Sequence, residues 1–157
     1  MGNVLLDEKF IVYAHELVKN AEKEICLCSF KIEINEKPLG RSLKGFFDTL
    51  AEKAALGIKV KILFNWRPNE RNVPRTNKTT ALTLKAKGVQ LKYLTNDRCC
   101  HAKILIVDRK KGIVGSHNLS VCSITSNFEI SYTIPNNDEI AEVQRIFDDV
   151  FAAAKEI

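Results

Sequence analysis

A chain of 157 residues that is 45% hydrophobic and 27% charged has the balance of an ordinary globular protein. It can bury a core without disulfides or a structural metal, and a disordered or fibrous class is excluded. Its formal charge of +5 favours an acidic partner, either nucleic acid or an anionic lipid head group.

No apolar run approaches the roughly 18–20 residues of a membrane span, and Asp7, Glu8 and Lys9 interrupt the start. Neither a signal peptide nor stable membrane association is expected. The five cysteines are an odd number, with Cys26 and Cys28 in an apolar run and Cys99 and Cys100 adjacent. That is a poor disulfide framework and a poor zinc set, and it fits a reducing, cytoplasmic setting.

In chain order, Phe10, Ile11, Ala14, Leu17, Val18 and Ala21 recur at helical spacing and predict an amphipathic helix. Residues 24–30 form a short β-compatible run, and 32–40 read as a loop marked by Asn35, Pro38 and Gly40. A helix over about Ser42 to Leu56 turns Leu43, Phe46, Phe47, Leu50, Ala51 and Ala54 inward and stops at Gly57.

Ile58 to Phe64 reads as a strand, 65–77 as a long polar loop, Thr79 to Lys87 as a short helix and Val89 to Leu94 as a strand. This alternation is the βαβ pattern of a largely parallel sheet. Strands His101 to Val107 and Gly112 to Gly115 then flank a tight polar turn, an antiparallel hairpin. Phe128 to Ile134 alternates like one more strand, and Pro135-Asn136-Asn137 introduces a last helix with Ile140, Val143, Phe147, Val150 and Phe151 inward. The expected fold is one α/β domain over 1–157, a mixed and mainly parallel sheet flanked by helices on both faces. No internal repeat is evident.

Chemistry concentrates between His101 and Glu129. In an extended strand alternate side chains share a face, so His101 and Lys103 point together and can address one anion. Asp108 has the opposite parity and sits at the turn, which suits a structural role. The hairpin returns Gly115, Ser116 and Asn118 towards His101, bringing close backbone approach, a hydroxyl and an amide to a phosphate. A reactive histidine needs an acceptor to fix its tautomer, and Glu129 on the following strand is the candidate.

The spacing His101-x-Lys103-x4-Asp108-x6-Gly115-Ser116-x-Asn118 resembles the signature of the phospholipase D superfamily without a gap or substitution. The likeness extends to most of the chain, and the length is similar to that of the small single-motif bacterial endonucleases of the superfamily. It implies that His101 attacks phosphorus to give a phosphohistidine, that Lys103 and Asn118 hold the non-bridging oxygens with Ser116 assisting, and that Glu129 orients His101. One motif supplies one histidine while the double displacement needs a nucleophile and an acid. The resemblance therefore implies a homodimer with the active site on its two-fold axis. No metal or other cofactor is needed in that scheme.

Outside the motif, Trp66, Arg67, Arg71 and Arg75 are candidate substrate-binding residues, with arginines for phosphates and an indole for base stacking. A solvated loop or a dimer contact is the equal alternative. His117 fills the motif's variable position, as a substrate contact or an exposed rim residue, and His15 is expected on a solvated helix face. The favoured activity is nucleic-acid phosphodiester hydrolysis. A phospholipase or phosphatidyl transferase is the enzymatic alternative, and a non-catalytic nucleic-acid-binding module the third.

Overall fold

The computed structural model describes residues 2–66, 75–95 and 98–157. Its strands are β1 (Val4–Leu6), β2 (Glu24–Ser29), β3 (Lys59–Phe64), β4 (Gln90–Tyr93), β5 (Ile104–Val107), β6 (Lys111–Gly115), β7 (Ile130–Thr133) and β8 (Lys155–Glu156). They form one sheet in the order β1-β7-β6-β5-β2-β3-β4-β8. The helices are α1 (Glu8–Lys19), α2 (Arg41–Ala55), α3 (Arg75–Lys85), α4 (Val121–Thr125) and α5 (Asn137–Ala153).

The mixed sheet with helices on both faces is as expected, but its parallel share is smaller. Between the named strands of the described residues only the β2–β3 and β3–β4 pairings are parallel, with one isolated parallel bridge between Ile32 and Leu119. The hairpin strands, β7 and the short strands at the two ends of the chain all pair antiparallel. Two or three residues carry no readable periodicity, so β1 and β8 escaped the sequence pattern.

β2 lies at the centre with all six residues buried. Ile25 and Leu27 join the core beneath α1, α2 and α3, while Cys26 and Cys28 face Phe147 and Phe151 of α5. Phe46 and Phe47 are fully buried, each contributing about 1.5–3 kcal/mol relative to exposure. α5 begins where expected: the Asn136 side chain accepts from Glu139 N–H at 2.9 Å and donates back to Glu139 Oε1 at 2.9 Å, a reciprocal cap.

The largest boundary shifts are at the starts of α3 and β5. α3 opens at Arg75 instead of Thr79, because Asn77 is fully buried and ties its first turn to neighbouring backbone. Its Nδ2 donates to the carbonyls of Phe30 (2.9 Å) and Asn65 (2.8 Å), and its Oδ1 accepts from Ile32 N–H at 3.0 Å. β5 opens at Ile104, so His101 and Lys103 precede the strand.

The β5–β6 turn places Asp108 at φ 53° and Arg109 at φ 57°, closed by Lys110 N–H on the Val107 carbonyl at 3.0 Å. This is the primed geometry that follows strand twist. The Asp108 carboxylate accepts the N–H groups of Glu22, Lys23 and Glu24 at 2.7–2.9 Å, offsetting the left-handed backbone.

Candidate active site

His101 and Lys103 sit beside the carboxyl end of β2, where Cys28 pairs with Ile104 and where α/β sheets place ligands. Gly115 N–H donates to the Lys103 carbonyl at 3.2 Å, carrying the ladder one step beyond β5. His101 is exposed, and Lys103 Nζ lies 3.0 Å from its Nδ1 and donates to its carbonyl at 2.7 Å. An ammonium only donates, so Nδ1 is the acceptor and the ring proton resides on Nε2. The Phe30 ring packs beside both, 5.3 Å from the His101 ring and 6.0 Å from Lys103 Nζ. Burial lowers the Lys103 pKa, an effect opposed by the charge of Glu129.

The return strand supplies the second half. A Cβ on Gly115 would stand 2.1 Å from Ser131 Oγ and 2.4 Å from Ser131 Cα. Glycine at this motif position therefore lets β6 and β7 close on each other. Beyond it, the Ser116 hydroxyl donates to Glu129 and accepts from Ile130 N–H at 3.1 Å. Asn118 Oδ1 accepts from Lys31 N–H at 3.2 Å, which leaves its Nδ2 as the end able to donate to an anion. Asn118 N–H donates to Ser123 Oγ at 2.8 Å, and Ser123 donates on to Glu129 at 2.9 Å.

Glu129 is 8% exposed. Burial pushes its pKa up, but bonds from Ser116, Asn127 and Ser123 outweigh this and hold it below the ordinary carboxylate value. Its carboxylate was expected to orient His101. Among the described residues no hydrogen bond joins the two; the carboxylate accepts instead from two serine hydroxyls and the Asn127 amide. The charge of Glu129 acts instead on Lys103 and His117.

His117 differs most from expectation, being neither a rim residue nor exposed: it is 1% accessible. The signal was available, since residues 113, 115 and 117 share parity and Ile113 is core. Its ring stacks on Phe10 at 4.4 Å, with Nδ1 2.7 Å from Ser131 Oγ and Nε2 3.1 Å from the Asp7 carbonyl. His15 likewise is not simply solvated. It contacts Thr49 at 2.8 Å and the edge of Phe46, between α1 and α2, and burial lowers its pKa.

Trp66 is half-buried against Phe64 and Tyr93, at 5.8 and 6.5 Å between ring centroids, so its indole serves the core. Arg75 is exposed at the start of α3. Arg67 and Arg71 lie outside the described residues. Beneath His101, the buried Cys28 thiol donates to Cys100, a contact that raises the Cys28 pKa and lowers that of Cys100. Among the described residues no group of three or more His, Cys, Asp or Glu side chains is placed to hold a metal, and no helix is long and apolar enough to cross a membrane.

Comparison with known proteins supplies the wider context. Cardiolipin synthase 1 of Bacillus anthracis is 30% identical over 110 residues, covering 69% of this chain and 21% of that protein. Cardiolipin synthase A of Pseudomonas aeruginosa (strain PAO1) is 30% identical over 100 residues, covering 64% of this chain and 20% of that protein. The chain thus spans about a fifth of the length of these relatives. The fold is similar to that of Nuc from Salmonella typhimurium, a phospholipase D family member, with TM-score 0.80 and 18% identity over 100% of this chain and 99% of that one. NucT from Helicobacter pylori gives TM-score 0.76 and 14% identity over 100% of both chains. A family model described as cardiolipin synthase, PLD-like domain, matches residues 15–151, a span that holds the whole run from His101 to Glu129. With the motif, the fold and this match in agreement, the chain belongs to the phospholipase D-like family, whose members are phosphodiesterases and phosphotransferases.

Proposed function

We propose that this chain is a metal-independent nuclease that hydrolyses nucleic-acid phosphodiesters through a phosphohistidine, with two copies building one site. The carrying observation is the exposed His101–Lys103 pair, 3.0 Å apart, beside the Ser116–Glu129–Asn118 network. A phosphate entering here takes the Lys103 ammonium from His101 Nδ1 and frees the imidazole. His101 then forms the N–P bond as the leaving oxygen departs. The same histidine of a second copy protonates that oxygen, then deprotonates the water that cleaves the N–P bond. Lys103, Asn118 Nδ2 and Ser116 stabilise the added negative charge.

The second copy is supported by an unpartnered apolar face. Val4 lies opposite Tyr132 and Leu6 opposite Ile130 across β1 and β7, all four exposed, with Phe128 81% exposed next to Glu129. Such a strip beside a half-complete site suits an isologous contact. The positive balance of the chain and its likeness in motif and size to small single-motif endonucleases favour nucleic acid as substrate. The same strip, with the kinship to cardiolipin synthases, supports the alternative of a lipid head-group phosphodiesterase or transferase.

End-labelled DNA and RNA, and vesicles of anionic phospholipid, incubated with the protein in excess EDTA discriminate the two. Cleavage of oligonucleotide that is lost in His101→Asn is the expected result. Head-group release without oligonucleotide cleavage would transfer the assignment to lipid. The active species should sediment as a dimer, with a bell-shaped pH profile whose apparent values belong to the coupled imidazoles.

A further inference from the structure

We propose that His117 and Asp7 are positioning residues, a brace of one buried ring and one exposed aspartate that holds Glu129, and through it Ser116, in place for phosphate handling. The inference rests on the phosphodiesterase reading for its kinetic consequence, but not for its structural one.

His117 is sealed from water, so both ring nitrogens need partners within the protein. The Asp7 carbonyl can only accept, so Nε2 carries the proton and donates to it at 3.1 Å. Burial lowers the His117 pKa and favours the neutral ring, in which Nδ1 is the acceptor and the Ser131 hydroxyl 2.7 Å away its donor, so each nitrogen is satisfied. The Phe10 ring, nearly parallel at 9°, fixes the plane of the imidazole.

Asp7 converts that anchorage into a grip on Glu129. Its φ of 46° is a left-handed conformation that aspartate adopts only when surrounding contacts impose it. Those contacts converge here. The Asp7 carbonyl also accepts Phe10 N–H at 3.1 Å, its N–H donates to the Glu129 carbonyl at 3.3 Å, and its Oδ1 accepts Glu129 N–H at 3.3 Å. Each of the last two is long, but together they clamp both main-chain groups of Glu129. The other end of the imidazole is tied to Ser131, two residues after Glu129 in β7 and against Gly115. One ring therefore connects the residues after β6, strand β7 and the residue before α1. None of these groups touches His101, so the brace acts only through Glu129 and Ser116.

His117→Phe keeps the stack on Phe10 but removes both hydrogen bonds. Asp7→Gly removes the carboxylate while easing the left-handed backbone, so a merely structural role predicts a stable and fully active protein. The brace predicts otherwise. The Glu129 carboxyl, followed by carbon-13 NMR titration, should titrate higher in His117→Phe than in the wild type, and higher in Asp7→Gly than in Asp7→Asn, which loses the same charge. The kcat for bis(p-nitrophenyl) phosphate per folded chain should fall roughly tenfold or more with KM within about twofold. His117→Gln and Asp7→Asn, which retain a donor and an acceptor respectively, should recover most of both. An unshifted Glu129 titration in the two variants, or an unchanged kcat per folded chain, overturns the proposal. If His117→Phe fails to fold, Asp7→Gly decides by the same two measurements. If the wild-type protein turns over no diester, the phosphodiesterase reading fails, while the Glu129 titration still decides the brace.

Discussion

At the turn end of the β5–β6 hairpin the Asp108 carboxylate accepts three main-chain N–H groups, whereas at the open end Glu129 accepts two serine hydroxyls and an asparagine amide. Main-chain donors cannot leave without moving the fold, so the charge of Asp108 is committed to the link between the hairpin and residues 22–24. Hydroxyls and amides can rotate. On the proposed reading the donors around Glu129 can therefore turn towards an incoming phosphate while the backbone stays still, beside the exposed His101 and the half-buried Lys103. Two acidic residues of one sequence stretch thus serve opposite purposes, separated by what donates to them.

The largest effect expected from breaking this contrast is at His101. His101→Asn should lower kcat on the order of 10⁴-fold, as loss of a nucleophile does, and shift Tm by no more than about 2 °C, because the ring is exposed, beside Phe30 and Lys103. A Tm loss as large as that of a core variant would show that His101 serves the fold.

Glu129→Gln should act less strongly but in a diagnostic way. The amide preserves the size of the side chain and removes the charge that opposes the burial-driven lowering of Lys103. Lys103 then loses its proton at lower pH than in the wild type. The further loss of activity that follows Lys103 deprotonation, on the alkaline side of the bell set by the imidazoles, should move towards neutrality, with kcat at its maximum reduced roughly tenfold. A loss that stays in place would separate Glu129 from Lys103.

Much of this contrast was legible in the residues themselves. Strand parity put His101 and Lys103 on one side, and their side chains do meet, although the regular strand begins only at Ile104. The glycine at 115 was read as letting the backbone approach a phosphate, whereas the close approach in the structure is to Ser131 of β7. What escaped depends on distant sequence. Asp7 lies 122 residues from Glu129, and no periodicity in a three-residue strand announces that β1 pairs with β7. The single turn α4 brings Ser123 between Asn118 and Glu129, and that residue was not expected to matter. The donors that hold Glu129 are thus partly tertiary, and sequence spacing alone does not announce them.

The smallest effect sharpens the other side of the contrast. Asp108→Asn leaves one side-chain oxygen for three N–H groups, and because the site is partly exposed, water replaces part of what is lost. A destabilisation of about 1–2 kcal/mol is expected, or roughly 3–6 °C in Tm for a chain of this size, with kcat within about twofold of wild type below the transition. The cost should also depend on pH. The three N–H bonds hold the Asp108 carboxyl below its ordinary value of 3.8 against the raising effect of burial. Its contribution is then fully present above that value and lost as pH falls through the lower folded value. Glu33, Glu129 and Asp148 are lowered too, so acid weakens the wild type at several places at once. The difference in urea midpoint between wild type and Asp108→Asn isolates the one group. It should be constant from pH 7 to about pH 5 and shrink below about pH 4, at unchanged m-value. A difference that persisted undiminished at pH 3 would mean that the asparagine perturbs the turn itself, and that the carboxylate charge is not what fastens the hairpin to residues 22–24.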